Sequence, residues 1–149
     1  MFITIDYLNI KVNKGIMKFE KAPDIQEMAE KILDVLSYEY INEARIICMR
    51  SYGSQANAYA RIWNFPKIWQ MALEVKPFYV IEVLSEEFDH LPEEEKEKII
   101  IHELLHIPKT FSGALRNHKY NGGRVDDRTV NKIYKEYQKR ITERIQFLD

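Results

Sequence analysis

A single cysteine, four histidines, five glycines and five prolines are spread through 149 residues whose net charge is −1. One cysteine cannot close an intrachain bridge, which excludes a disulfide-stapled secreted scaffold and points to a reducing, cytoplasmic setting. No apolar run approaches the roughly 18 residues of a membrane-spanning helix. The opening MFITIDYLNIKVNKG carries Asp6 and Asn9 within its apolar stretch and has no basic leader, so it does not read as a secretion signal. Near-neutrality argues against a general coating of polyanions and leaves a local basic patch open. No stretch rich in Gly, Ser or Pro forms a linker, and there is no low-complexity tract or internal repeat. What is present is 46% hydrophobic residues, in a length that suits one domain with its own core.

The neutrality is a cancellation. Residues 1–73 sum to +1, residues 74–108 to −7 and residues 109–149 to +5, giving an acidic middle and a basic end. Residues 2–12 alternate loosely enough for an edge strand, and Asn13-Lys14-Gly15 reads as a turn. Ile25, Met28, Ala29, Ile32, Leu33, Leu36 and Tyr40 recur at helical spacing, which predicts a helix over 24–40 begun by Pro23-Asp24. Ala44 to Met49 is a short β-like run holding Cys48, followed by a polar turn at 51–54. An aromatic stretch then runs to Trp69 with an interruption at Pro66. FYVIEVL, residues 78–84, is the strongest strand signal, rich in branched and aromatic residues and entered through Pro77.

The next helix is predicted over 92–107. Pro92 suits a first helical position, and Glu93, Glu94 and Glu95 place negative charge at the positive end of the helix. Its first half is charged and its second half apolar on nearly every side, so it enters from solvent and ends inside the protein, stopping before Pro108. A last helix over 126–148 is two-faced at about 100° per residue. Val130, Tyr134, Tyr137, Ile141 and Ile145 fall on the core side, and Lys132, Lys135, Lys139 and Glu143 on the solvated side.

At the inner end of the charged helix stands His102-Glu103-Leu104-Leu105-His106, an HExxH sequence. Side chains four apart stack on one helix face, so both imidazoles reach a single ion. Imidazole suits Zn²⁺, and a catalytic zinc site uses three protein ligands and a water. Glu103, turned about 100° from His102, stands beside that water as general base rather than on the metal. Chance produces the pattern roughly once in a hundred chains of this composition. The setting adds weight, because two histidines and a glutamate at an apolar helix end are costly to bury without partners. The competing reading is two core histidines bonded to backbone, with Glu103 in solvent.

Several residues compete to be the third ligand. The metzincin continuation HExxHxxGxxH is absent, with Lys109 and Ser112 at the glycine and histidine positions. Glu136 falls on the solvated side of the last helix. Asp126 and Asp127 border its inward face, although Asp126 also suits a helix N-cap. Cys48 invites comparison with peptide deformylases, which join HExxH to an upstream cysteine ligand. RIICMRS does not resemble their cysteine motif, however, and a lone cysteine in an apolar strand is usually core. His118 is favoured, twelve positions after His106 and beyond a break at Pro108 and a Gly113 that lets the chain turn back.

The stretches MKFEKAPDIQEMAEKI, YARIWNFPKIWQMAL, FYVIEVLSEEFDHL and, most specifically, HELLHIPKTFSGALRNH resemble the putative phage metallopeptidase family, small zincin-like proteins of phages and archaea, from about Met17 to Tyr137. The resemblance implies a zincin-type domain with His102, His106 and His118 as metal ligands and Glu103 as the catalytic residue. It implies no particular substrate.

These readings converge on one α/β (α+β) domain of minimal zincin type over 17–149: a small mixed sheet backed by helix 24–40, the metal helix and the C-terminal helix. The expected activity is cytoplasmic, zinc-dependent hydrolysis of peptide or protein substrates. A further oxyanion donor is sought among Lys109, Arg116, Arg124 and Tyr120, with Tyr120 preferred and Asp126 as a nearby carboxylate. Glu82 alternates to the polar side of strand 78–84, whose edge, if it borders the cleft, offers strand addition to an extended peptide, although a central buried strand would have a similar composition. The alternatives are a non-catalytic zinc module for a protein or nucleic-acid partner, or a deformylase-like amide hydrolase. Tyr52, Tyr59, Trp63, Trp69 and the basic end would suit nucleic acid, although most of those charges belong to a solvated helix face. Residues 1–16 lie outside the resemblance as an N-terminal extension, and Met17 suits a natural start. Protein made from the native gene is therefore expected to begin at Met17 by intact-mass spectrometry; a chain beginning at Met1 would refute this.

Overall fold

The computed structural model describes residues 9–12, 15–120 and 123–148. Five runs of branched and aromatic residues become strands: β1 (Asn9–Val12), β2 (Gly15–Lys21), β3 (Ile46–Tyr52), β4 (Ala60–Trp63) and β5 (Tyr79–Leu84). They form one mixed sheet in the order β1-β2-β3-β5-β4, in which only the β3–β5 pairing is parallel. The strand expected over 2–12 is present at 9–12, and 2–8 lie outside the described residues.

The sheet order corrects one expectation. Strand 78–84 has no free edge, because β5 lies between β3 and β4. Its composition explains why: Tyr79, Ile81 and Val83 are buried on the helix side, and Glu82 and Leu84 are buried on the other. Burial on both faces marks an interior strand. Among the described residues, the free edge near the helices belongs to β4.

The helices are α1 (Pro23–Val35), α2 (Lys67–Leu73), α3 (Ser85–Phe88), α4 (Glu93–Leu105) and α5 (Asp127–Gln146). α1 and α4 pack on one sheet face and α5 packs on both of them. Ile25, Ile32, Ile81, Ile100, Ile101, Leu104 and Tyr137 are buried in the resulting core. Each large apolar side chain buried there contributes about 1.5–3 kcal/mol. As expected, α4 begins among exposed Glu93–Glu95 and ends buried, with Pro92 as its N-cap rather than its first helical residue. No helix among the described residues is long and apolar enough to cross a membrane.

Two helix predictions are corrected. α1 stops at Val35 rather than 40, because Ser37 takes φ +55° and the chain turns over. The Ser37 N–H bonds the Asp34 carbonyl and the Tyr38 N–H the Leu33 carbonyl, the paired bonds of a Schellman ending without its usual glycine. Leu36 and Ile41 still bury, which is why the apolar pattern outlasts the helix. At the other end, α5 outruns the core it covers, so Ile145 is exposed instead of core-facing.

Side chains weld α1 to the sheet. Where β2 leaves β3, the Gln26 amide takes over: its Nε2 donates to the Ile46 carbonyl and its Oε1 accepts from the Cys48 N–H, both at 2.8 Å. Arg50, mostly buried, joins Asp24 of α1 at 2.7 Å and Asp89 at 3.1 Å.

Glu82 does alternate away from the helix side, yet it is only 1% exposed. Arg61, Trp63 and Ser51 all donate to its carboxylate, at 3.0, 2.9 and 2.6 Å. Burial alone would raise its pKa, but these three donors outweigh burial and hold the group below its ordinary value. A depressed carboxylate stabilises the fold above the unfolded-state pKa, and that stability is lost as pH falls through the folded value. Glu82→Gln is therefore expected to lower the unfolding free energy by about 2 kcal/mol at neutral pH. In urea titrations the gap from wild type should narrow once pH falls below 4.5; a gap independent of pH would show that the carboxylate charge does not matter.

Candidate metal centre

α4 carries His102 and Glu103 in its last turn, and His106 is its C-cap, held by a bond from its N–H to the Glu103 carbonyl. Ile107, fully buried, and Pro108 then end the helix. The strap that follows is tied back at once. His106 Nδ1 lies 2.7 Å from the Arg116 carbonyl oxygen, and the Arg116 N–H donates to the His106 carbonyl at 2.6 Å. Engaging Nδ1 as donor leaves Nε2 as the ring's free lone pair.

The middle of the strap is fixed from the sheet. The Tyr79 hydroxyl accepts from the Gly113 N–H at 2.8 Å and donates to the Ala114 carbonyl at 2.7 Å. The Gln70 amide donates to the carbonyls of Phe65 and Ser112, both at 2.9 Å. Gly113 has φ +92°, and a Cβ there would run into Gln70 Nε2 and the Phe65 carbonyl. The strap delivers His118 to the base of a small hairpin, β6 (Lys119–Tyr120) and β7 (Gly123–Arg124). The Val125 N–H closes that base on the His118 carbonyl at 2.7 Å.

Three imidazoles therefore converge. Their ring centres are 4.8–5.5 Å apart, and one nitrogen from each lies within 4.8 Å of the others. His102 Nε2 and His106 Nε2 are 3.4 Å apart. Two nitrogens bound tetrahedrally to a zinc-sized ion at about 2.0–2.1 Å sit roughly 3.3–3.4 Å from each other, so the His102–His106 pair has that spacing, and the three nitrogens together could hold a metal ion. Burial first, then the neighbouring His106 and His118, lowers the His102 pKa to about 4 against the opposing pull of Asp127. Burial likewise lowers His106. Both rings are thus neutral near pH 7, as metal ligation requires.

Glu103 is 8% exposed, and among the described residues its carboxylate, unlike its backbone carbonyl, has no hydrogen-bond or ion-pair partner. Burial raises its pKa to about 7. A cavity of about 500 Å³ opens beside His102 and Glu103, walled by Tyr59 and Ala60 at the β4 edge and by Ile99, Asp127 and Val130.

The expected residues divide as follows. His102, His106 and His118 come together with Glu103 beside them, and His90 is exposed elsewhere. Cys48 is buried in the core and is not part of the histidine cluster. Asp126 spends its carboxylate capping α5 through the Thr129 N–H at 2.9 Å, and the aspartate that faces the cavity is Asp127. The Tyr120 side chain lies outside what the structure describes. Sequence reasoning missed the Arg116 carbonyl, Tyr79 and Gln70. A backbone acceptor carries no residue signature, and only the glutamine inside an otherwise apolar helix hinted at an inward polar role.

The family model described as putative phage metallopeptidase matches residues 17–142. No curated protein and no solved structure matches the chain.

Gly113→Ala tests how the third imidazole is placed. The variant should fold, judged by circular dichroism, and bind zinc about 10–100-fold more weakly in competition with a chromophoric chelator. Unchanged affinity would mean that this turn does not position His118.

Proposed function

The chain belongs to that family, and from its site we propose a zinc-dependent peptidase in which Glu103 is the general base. The observation that carries this reading is the convergence of three imidazoles beside an unpaired, buried carboxylate at the wall of an open cavity. His102, His106 and His118 would hold the ion. Bound zinc supplies a Lewis acid for the scissile carbonyl and lowers the pKa of a water to about 7.

Everything else falls to the chain's own residues. Glu103 takes a proton from the attacking water and hands it to the leaving amine nitrogen. Its lack of a partner leaves both oxygens available for that exchange. The Arg116 carbonyl keeps His106 in one tautomer and orientation, and the strap bonds from Tyr79 keep His118 at its post.

The β4 edge suits a polypeptide substrate. The Leu84 N–H donates to the Tyr59 carbonyl, so residues 59, 61 and 63 face β5 with their backbone groups. Ala60 and Ile62 then point theirs away from β5, and no strand lies beyond them among the described residues. An extended peptide adding there would pass the cavity beside Glu103.

Glu103→Gln should keep one zinc per chain by metal analysis and lose at least about 100-fold in turnover of an unfolded protein such as casein. Undiminished cleavage by that variant would sink the mechanism.

A further inference from the structure

α2 is inside out. Gln70 is its one buried residue, whereas Ile68, Trp69, Met71 and Leu73 are 70, 56, 67 and 56% exposed. At about 100° per residue, Gln70 points inward, Ile68 and Ala72 lie opposite it, and Met71 and Trp69 project to either side. The Gln70 bonds account for which way this two-turn helix faces, but among the described residues nothing covers the apolar side chains it displays. Large exposed apolar patches of this kind mark interaction surfaces.

Its position narrows the occupant. β4 leads from Tyr59 and Ala60 at the cavity to Trp63, and α2 begins shortly after. Trp63 is 51% exposed, yet its indole N–H is anchored on buried Glu82 and the Arg61 guanidinium lies 5.3 Å from its ring centre. It is a rigid aromatic platform, ready to be covered at little entropic cost. Gln70 ties α2 to the strap that carries His118, so the patch keeps a fixed offset from the metal ligands. The edge between them offers alternating backbone donors and acceptors, which a polypeptide main chain satisfies and a lipid surface does not. A second copy pairing along the same edge would cover the cavity.

We propose that Trp63 and the outer face of α2 are the substrate-recognition surface of this site: an unfolded polypeptide segment adds to β4 and seats a large apolar side chain against Trp63, Ile68 and Trp69. At about 3.3 Å per residue, the length of β4 places that side chain roughly three to five residues from the bond cut. The proposal rests on the peptidase reading for the cut itself, but the binding surface stands without it.

The test uses the zinc-loaded full chain. Fluorescein-labelled β-casein is titrated with Glu103→Gln protein and with the same protein carrying Ile68→Ser and Trp69→Ser, with circular dichroism and zinc content as controls for folding. The added pair should weaken binding about tenfold or more. In otherwise wild-type protein the same pair should raise KM for casein rather than lower kcat. Cleavage sites mapped by mass spectrometry should then lose an apolar preference at a fixed offset from the cut. Equal affinity with and without the pair, or no casein binding at all, overturns the proposal. So does a pair that leaves casein binding intact while abolishing dimerisation or pelleting with anionic phosphatidylglycerol vesicles. Patch-dependent binding without any cleavage by the wild type would sink the peptidase reading alone; cleavage that needs Glu103 but ignores the patch would sink this proposal alone.

Discussion

One helix can present two histidines to an ion but not three, so this site depends on how the chain brings His118 back to the end of α4. The reciprocal pair between His106 and Arg116 does most of that work. It caps the helix where its carbonyls would otherwise be unsatisfied, reverses the chain within ten residues and fixes the His106 ring in the same step. His118, two residues further along, inherits its position from this pair, while Tyr79 holds Gly113 and Ala114 inside the loop that the pair closes.

The second dependence runs from the sheet. Tyr79 is fully buried on β5, and its hydroxyl is both acceptor and donor to consecutive strap residues. A buried phenol that satisfies two backbone groups stabilises the fold and the loop at once, because neither group could be left unpaired without a cost of about 1–3 kcal/mol. Gln70 repeats the device from α2. That anchoring also explains the helix's unusual orientation: two carbonyls are satisfied at the expense of turning its apolar residues outward. The metal strap and the exposed apolar surface are therefore consequences of the same amide.

Much of this was legible in the sequence, and the parts that were not share a physical reason. α4, its charged start and buried end, the two-faced α5 and the strong strand at 78–84 follow from local periodicity and composition, which a sequence displays directly. The cluster of His102, His106 and His118 was legible because imidazole chemistry is rare in this chain. The end of α1 was not, since Ser37 adopts a left-handed conformation that glycine usually signals. Nor was the free edge, because strand order is a tertiary property: β4, with its arginine and tryptophan, looks less like a strand than β5 and yet lies outside it. Glu82 read as a solvated alternate position, and only the juxtaposition of Arg61, Trp63 and Ser51 makes its burial affordable.

The placement of the histidines at the far end of α4 has an electrostatic logic of its own. Glu93, Glu94 and Glu95 sit at the helix start, where the macrodipole favours negative charge, and the imidazoles gather at the end, where it favours a cation. Burial works in the same sense on both kinds of group there, lowering His102 and His106 and raising Glu103. Each shift favours the uncharged form, so the site offers neutral nitrogens at the negative end of a dipole in a poorly solvated corner. Such a corner is costly for a lone carboxylate and favourable for a carboxylate beside a divalent cation. The imidazoles that would hold the ion are needed in that uncharged form, whereas Glu103 would accept a proton only as the charged carboxylate, the form a bound cation would favour.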